Sequence, residues 1–137
     1  MTLTYASEAA APPAEAWALL ARPARWREWA PHVRGAWGLG APEIEAGRTG
    51  VVRVAPALLV PVRVIAKRPR RSWAWKTGMV TIRHRVEPRR GSVLVVVEMD
   101  AHPAVERLLA VTYGPLVDVL LRRLARVAAT HHDCPGR

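Results

Sequence analysis

The segment from Pro103 to Thr130 constrains the fold most strongly, because its apolar residues recur at steps of three and four. These residues are Leu109, Tyr113, Leu116, Leu120, Leu124 and Val127. Such spacing places them in one stripe along an amphipathic helix, with charged residues on the opposite side. At about 1.5 Å per residue the helix would be roughly 40 Å long, close to the diameter of a compact chain of this size. A helix of that length needs a surface that wraps around its apolar stripe.

Gly114 and Pro115 lie in the middle of this segment. A proline inside a helix removes one backbone hydrogen bond and crowds the preceding turn. We therefore predict a single helix over Pro103 to Thr130 with a kink near Val111. The residues after it, 131–137, are mostly polar, and we expect them to form a loosely held tail.

The chain has 137 residues, of which 50% are hydrophobic. This is the size of one domain with a sizeable core, and we predict a single domain over residues 1–130. Cys134 is the only cysteine, so an intrachain disulfide is excluded and a reducing compartment is indicated. No stretch is apolar for long enough to span a bilayer, and the N-terminus lacks the pattern of a secretory leader. We expect a soluble, cytoplasmic protein.

The formal net charge is +10, and nearly all of it comes from arginine. A charge of this sign is typical of proteins that bind nucleic acid or an acidic membrane surface. The arginines are scattered singly along the chain, however, which favours an ordinary solvated surface. We therefore expect no nucleic-acid partner, and we keep weak association with an acidic surface as an alternative.

Between the N-terminus and the long helix, the period of the apolar residues changes from helical to strict alternation. A first strand over 2–7 is followed by two short helices, which end at Pro23 and Pro31. Alternation then predicts six strands, over 33–39, 49–55, 59–66, 72–77, 80–87 and 92–100. The order is β-α-α-β6-α, which predicts an α+β domain. In it a seven-stranded antiparallel sheet curls around the C-terminal helix.

Several local sequences carry a resemblance to a known family. They are Ala11-Pro-Pro-Ala-Glu-Ala-Trp17, Leu20-Ala-Arg-Pro-Ala-Arg-Trp26 with Trp29, Gly38-Leu-Gly40 followed by Gly47, Arg71-Ser-Trp-Ala-Trp75 and His84-Arg-Val-Glu-Pro88. Together with the order of elements, they make the chain from Thr2 to Ala128 resemble the START-like superfamily, also called SRPBCC proteins. This superfamily includes proteins of the polyketide cyclase/dehydrase type. The resemblance is specific for the fold and not for the chemistry.

The resemblance implies a helix-grip fold, with a mostly apolar cavity between the sheet and the C-terminal helix. Members bind lipids, polyketides, hormones or other hydrophobic molecules, and some catalyse ring closure or dehydration. The family has no common nucleophile or metal ligand that could be transferred to this chain. We accordingly predict no metal site and no cofactor.

The strand parity and the helical stripe together predict which side chains line this cavity. They are Val52, Val62, Val64, Trp73, Trp75, Ile82, His84, Val95, Val97, Leu109, Tyr113 and Leu116. Among them, His84 and Tyr113 are the candidate catalytic residues. An imidazole can exchange a proton near neutral pH, and a phenol hydroxyl could orient a substrate carbonyl. The alternative is that both are core residues that only find a hydrogen-bond partner.

The tryptophans can be interpreted in two ways. Trp73 and Trp75 lie two apart on one strand, so they either present flat faces to a ligand or fill the cavity and make it a solid core. The tryptophans at positions 17, 26, 29 and 37 are interpreted mainly as packing residues, and a place at the cavity mouth is an alternative for Trp37.

These observations predict a protein that binds a small hydrophobic molecule of polyketide, lipid or aromatic character. Cyclisation or dehydration of that molecule is an option that the resemblance adds, and the sequence is compatible with both a carrier and an enzyme. The alternative is a non-catalytic protein whose basic exterior binds a partner or an acidic membrane surface. The sequence does not indicate an oligomeric state.

Overall fold

The computed structural model describes residues 2–54, 58–112 and 114–132. The chain begins with strand β1 (Thr2–Ala9), helix α1 (Pro13–Ala21) and a short 3₁₀ helix (Pro23–Glu28). Six strands follow: β2 (Val33–Trp37), β3 (Thr49–Val54), β4 (Leu58–Arg68), β5 (Ser72–Thr77), β6 (Val80–Arg89) and β7 (Ser92–Asp100). Two helices, α2 (Pro103–Thr112) and α3 (Gly114–His132), complete the described part.

The seven strands form one sheet in the order β1-β7-β6-β5-β4-β3-β2, and every neighbouring pair is antiparallel. Consecutive strands from β2 to β7 are neighbours in the sheet, whereas α1 and the 3₁₀ helix carry the chain from β1 to the opposite edge. The sheet curls around the C-terminal helix. This confirms the predicted α+β helix-grip architecture.

Local sequence explains where the two N-terminal helical elements begin and end. Pro13 occupies the first turn of α1, where its missing N–H needs no partner. Pro23 pushes Arg22 into an extended conformation, which ends α1 and starts the 3₁₀ helix. The backbone N–H of Ile44 donates to the carbonyl of Ala21 at 2.9 Å, so the loop after β2 is held against the end of α1.

The C-terminal helical segment is described as two helices, α2 and α3, on either side of Tyr113. Tyr113 lies outside the described residues. The segment was predicted as one kinked helix ending at Thr130, and α3 extends two residues further, into the predicted tail. Gly114 begins α3 against the hydroxyl of Tyr5, where a Cβ atom would have no room. A glycine is therefore what allows α3 to approach β1 closely.

The buried face of α3 differs from the predicted stripe. It consists of Val117, Leu120, Leu121, Leu124, Ala125 and Ala128. Leu116, which we expected to face the cavity, is 38% exposed, so that prediction is wrong. The prediction followed the large apolar residues, while the helix turns small alanines inward because they permit close packing against α1 and β1. None of the described helices combines the length and the hydropathy that a membrane span requires.

Candidate functional site

A cavity of about 100 Å³ lies between the inner face of the sheet, α3 and the segment that contains the 3₁₀ helix. The sheet contributes Val52, Trp73, Trp75, Ile82, His84, Val97 and Met99. The segment around the 3₁₀ helix contributes Trp26, Trp29, Ala30, His32 and Val33, and α3 contributes Val117, Leu120 and Leu121. None of these described lining residues is an aspartate, glutamate, lysine or arginine, so the wall is apolar apart from its ring nitrogens.

An aromatic cluster forms one wall of the cavity. Trp73 on β5 and His84 on β6 are directly opposite each other in the antiparallel pair, and their rings stack with centroids 3.8 Å apart and planes 13° from parallel. Trp26 also stacks on Trp73, with ring centroids 5.9 Å apart. Trp75 meets Trp73 edge to face at 5.1 Å and His84 at 5.6 Å. Contacts of this kind stabilise the fold beyond the burial of the rings.

Two of the lining indoles hold the 3₁₀ segment against α1. The Nε1–H of Trp26 donates to the carbonyl of Leu20 at 2.9 Å. The Nε1–H of Trp29 donates to the carbonyl of Leu19 at 2.8 Å. Both carbonyls belong to the last turns of α1, where backbone acceptors lack an intrahelical partner. These hydrogen bonds hold in place the roof of the cavity, which consists of Trp26, Trp29, Ala30 and Val33.

Three other ring nitrogens, which belong to residues of the cavity wall, lack a hydrogen-bond partner among the described residues. The Nε1 atoms of Trp73 and Trp75 and the Nδ1 atom of His84 are buried and form no hydrogen bond of good geometry with the described residues. Buried polar atoms in native proteins normally have a partner. These nitrogens are covered by neighbouring atoms, so the surface that the cavity presents is largely apolar.

Burial also sets the charge of the two cavity histidines. Desolvation lowers the pKa of His84 to about 3, although a hydrogen bond with the Trp73 backbone acts in the opposite direction. The pKa of His32 is also lowered by burial, and this residue lies partly exposed at the cavity wall. His84 is therefore neutral at pH 7, and no charged group faces a ligand from the described wall.

The structure brings together half of the predicted cavity residues. Those that line the cavity are Val52, Trp73, Trp75, Ile82, His84 and Val97. Val62, Val64 and Val95 have the predicted inward orientation, but they are packed in the solid core beside the cavity. Leu116 is on the exposed side of α3. Tyr113 and the side chain of Leu109 lie outside the described residues.

The sequence did not predict the residues that form the roof of the cavity. Trp26 and Trp29 were assigned to packing, whereas they line the cavity together with Ala30 and Val33. The sequence offers little signal for these residues, because the short 3₁₀ helix ends at Glu28 and Val33 already belongs to β2. Trp37, for which the cavity mouth was an alternative place, is 55% exposed and lies in a separate surface groove.

Within the described part of the chain, no three histidine, cysteine, aspartate or glutamate side chains come together in a way that could hold a metal ion. The side chains of His131 and His132 and the whole of residues 133–137 lie outside that part. The aromatic cavity is therefore the candidate functional site.

Comparison with solved structures places this fold among proteins of the same architecture. A protein from Thermobifida fusca, solved in solution, is 22% identical over 94% of this chain and 93% of its own, with a TM-score of 0.75. DynU16, a protein of the dynemicin biosynthetic locus, is 17% identical over 96% of this chain and 48% of its own, with a TM-score of 0.74. A START superfamily protein from Mycobacterium smegmatis is 16% identical over 92% of this chain and 98% of its own, with a TM-score of 0.68.

At these identities the likeness concerns the fold alone, and no curated protein matches the chain. The family model described as polyketide cyclase / dehydrase and lipid transport matches residues 1–129. This match covers the sheet, the cavity and nearly all of α3. The chain therefore belongs to the polyketide cyclase / dehydrase and lipid transport family of START-like proteins.

Proposed function

We propose that this protein binds a small, neutral, hydrophobic molecule of about one ring in the aromatic cavity. The observation that carries the proposal is a partly open cavity walled by aliphatic and aromatic side chains, with no charged residue among the described lining. A closed apolar cavity of about 150 Å³ can hold benzene. Because this cavity of about 100 Å³ is partly open, a single ring can fill it and extend toward its opening. Such a ligand would restore contacts that the lining atoms otherwise lack.

The size of the cavity bears on the ligands that the family name suggests. Pockets for drug-sized molecules measure roughly 300–1,000 Å³. A lipid or a polycyclic polyketide would therefore require displacement of an indole, and Trp75 is a candidate because it is only partly buried. In its present shape the cavity favours a single ring over a long chain or a fused ring system.

We propose a binding role for His84 in preference to general base catalysis. A general base works best when its pKa lies near the working pH, and a pKa of about 3 is far below neutrality. At pH 7 its neutral imidazole forms part of the cavity wall that a ligand contacts, but it holds a proton poorly. Ring closure or dehydration in this cavity would need another group to accept the proton, and Tyr113 stays the second catalytic candidate.

Toluene titration tests this proposal with two matched variants on β7. Val97 lines the cavity, whereas Val93 is equally buried on the same face of the same strand and does not. Val97→Phe fills the cavity and should weaken toluene binding by at least about tenfold, which is about 1.4 kcal/mol. Val93→Phe should leave the affinity of the folded protein unchanged. Calorimetry measures the affinity. If Val97→Phe leaves the affinity for toluene unchanged, toluene binds somewhere other than this cavity.

A second candidate function rests on a surface groove beside the edge strand β2. Its lining includes Arg22, Arg27 and Arg34 together with the exposed Trp37, and no acidic side chain lines it within the described residues. Arginines attract anionic headgroups, and tryptophan prefers the interface between membrane and water. This combination supports association with an acidic membrane surface.

Vesicle sedimentation tests this second candidate. Each basic residue near an anionic membrane contributes roughly 1 kcal/mol, so replacing Arg22, Arg27 and Arg34 by Gln should weaken binding to phosphatidylglycerol vesicles on the order of a hundredfold. The matched control replaces three exposed arginines on the strands, Arg53, Arg63 and Arg83. Equal losses in both triple variants would indicate a diffuse charge effect and would remove the groove from consideration.

A further inference from the structure

Three residues mark the opening of the aromatic cavity. Of its lining residues, only Trp29, His32 and Trp75 are partly exposed, and all the others are buried. A partly open cavity meets solvent where its lining residues are exposed, so the opening lies beside these three side chains. Trp29 and His32 belong to the segment between α1 and β2, and Trp75 belongs to β5.

The polar groups of these three side chains differ in their partners. The Nε1–H of Trp29 already donates to the carbonyl of Leu19, and Nε1 of Trp75 is covered by neighbouring atoms. The imidazole of His32 forms no hydrogen bond or ion pair with the described residues, and its ring nitrogens are not among the covered ones. His32 therefore supplies accessible hydrogen-bonding atoms at the opening.

The interior of the cavity has no such group. None of the described lining side chains carries a hydroxyl or a charge, and the nitrogens of Trp73, Trp75 and His84 listed above as unpartnered are covered. A polar group that enters apolar surroundings loses its hydration without compensation. At the opening the same group keeps contact with water and can reach His32. A ligand with one apolar end and one polar end is therefore held with its apolar end inside.

We propose that the ligand is a single ring that carries a neutral hydroxyl group, and that His32 determines this specificity. The ring lies against the aromatic wall, and the hydroxyl group lies at the opening, where it hydrogen-bonds with the imidazole of His32. This inference rests on the proposed function and adds the chemical class of the ligand and the residue that recognises its polar end.

The charge of the opening favours a hydroxyl group over a carboxylate. Burial lowers the pKa of His32 below its usual value of 6.5, so its imidazole is mainly neutral at pH 7. A neutral imidazole has one donor and one acceptor, and a hydroxyl group can pair with either of them. None of the described lining residues is lysine or arginine, so a carboxylate would find no cation in the wall.

Benzyl alcohol and ethylbenzene provide the direct test, because they share a ring and differ in a hydroxyl in place of a methyl group. Calorimetry gives the affinity of each compound for the unchanged protein and for His32→Phe. The different hydrophobicity of the two compounds cancels in this cycle, which leaves the contact between the hydroxyl group and His32. His32→Phe should weaken binding of benzyl alcohol about fivefold more than binding of ethylbenzene, as expected for one hydrogen bond.

Two further variants show whether the hydrogen-bonding group is responsible. His32→Gln keeps a donor and an acceptor and should retain most of the relative affinity for benzyl alcohol. His102→Phe is the matched control, because His102 is exposed before α2 and does not line the cavity. In this control the ratio of the two affinities should equal that of the unchanged protein.

Nitrogen spectra of the histidine rings give a readout that does not depend on a variant. Benzyl alcohol should shift the ring nitrogens of His32 more than ethylbenzene does, since only the alcohol can hydrogen-bond with them. The covered Nδ1 of His84 should respond alike to both compounds, because both place the same ring in the cavity.

The outcomes separate this inference from the proposed function. If His32→Phe weakens both compounds by the same factor, or if both shift the His32 nitrogens equally, the role of His32 is wrong while the apolar site stands. Tighter binding of phenylacetate than of benzyl alcohol at pH 7 would overturn the neutral ligand class. If neither benzyl alcohol nor ethylbenzene binds at millimolar concentration, the proposed function itself fails.

Discussion

His84 lies on β6 with its imidazole stacked on Trp73 and its edge toward Trp75. The strand register explains this position, since antiparallel pairing places residue 84 directly opposite residue 73. Stacking between two rings shields the imidazole from water, and desolvation favours its neutral form. The same residue on an exposed strand would titrate near neutrality and could act as a base. Here it is a neutral imidazole in the wall of the cavity.

The lowered pKa of His84 predicts a pH dependence of stability. The folded pKa is about 3, whereas an unfolded histidine has a pKa near 6.5, so the unfolded state binds more protons between these values. Stability should therefore be lost as the pH falls below about 6.5, at up to roughly 1.4 kcal/mol per pH unit from this group. Chemical denaturation at pH 7, 6, 5 and 4 measures it. His84→Phe keeps a ring on Trp73 and should show a shallower slope than the unchanged protein. Parallel curves would contradict burial of a neutral imidazole.

At the scale of the element, one face of α3 makes the contacts that pack this helix against the rest of the fold. Its inward face combines large residues such as Leu121 and Leu124 with the small Ala125 and Ala128. Small side chains let the helix axis approach β1 and α1, and Gly114 extends this close approach to the first turn beside Tyr5. The large residue Leu116 is left on the outer side because the inward face is already filled.

Two leucine substitutions on α3 test this assignment. Leu121 is 1% exposed and lines the cavity, whereas Leu116 is 38% exposed on the same helix. Leu121→Ala should lower the free energy of unfolding by about 2–5 kcal/mol, as expected for a buried leucine. Leu116→Ala should cost about 0.5 kcal/mol or less. Urea denaturation of both variants gives the comparison. Similar losses would mean that Leu116 belongs to the core, as the sequence stripe had predicted.

The sequence predicted the elements well because alternation and helical spacing are local properties. Val93, Val95, Val97 and Met99 alternate along β7, and all four are buried as expected. The same reasoning found Trp73, Trp75 and His84, because their parity along β5 and β6 is also local. It could not separate Val95 in the solid core from Val97 at the cavity, since that distinction depends on the distance between sheet and helix.

The prediction of which face of α3 is buried was wrong for a related reason. Its rotation is set by contacts with α1 and β1, which are far away in the sequence. Residue size pointed to Leu116, while packing selected Val117 and the alanines. Trp26 and Trp29 were missed because a short 3₁₀ segment between two prolines gives little periodic signal, although its position over the sheet makes it the roof of the cavity.

At the scale of the whole molecule, the cavity is what remains where the curled sheet, α3 and the 3₁₀ segment do not meet. Its volume is small because the aromatic cluster occupies the space that a larger ligand would need. On the α1 side the core includes the fully buried Leu19, Leu20 and Ile44, and Trp26 is joined to it by the hydrogen bond from its Nε1–H to the carbonyl of Leu20. A change at Trp75 leaves this hydrogen bond in place.

The substitution Trp75→Ala should enlarge the cavity so that it binds a molecule with two fused rings instead of one ring. Its indole is partly exposed and forms edge contacts with Trp26 and Trp73, so its removal opens the cavity toward the surface at a cost of about 3 kcal/mol. The variant should bind naphthalene, whereas the unchanged protein should bind toluene and reject naphthalene. Calorimetry with both compounds measures this change. Trp37→Ala is the matched control, because that indole is 55% exposed and outside the cavity wall. Naphthalene binding to the unchanged protein would mean that the aromatic wall yields without mutation, and the cavity volume would then not limit ligand size.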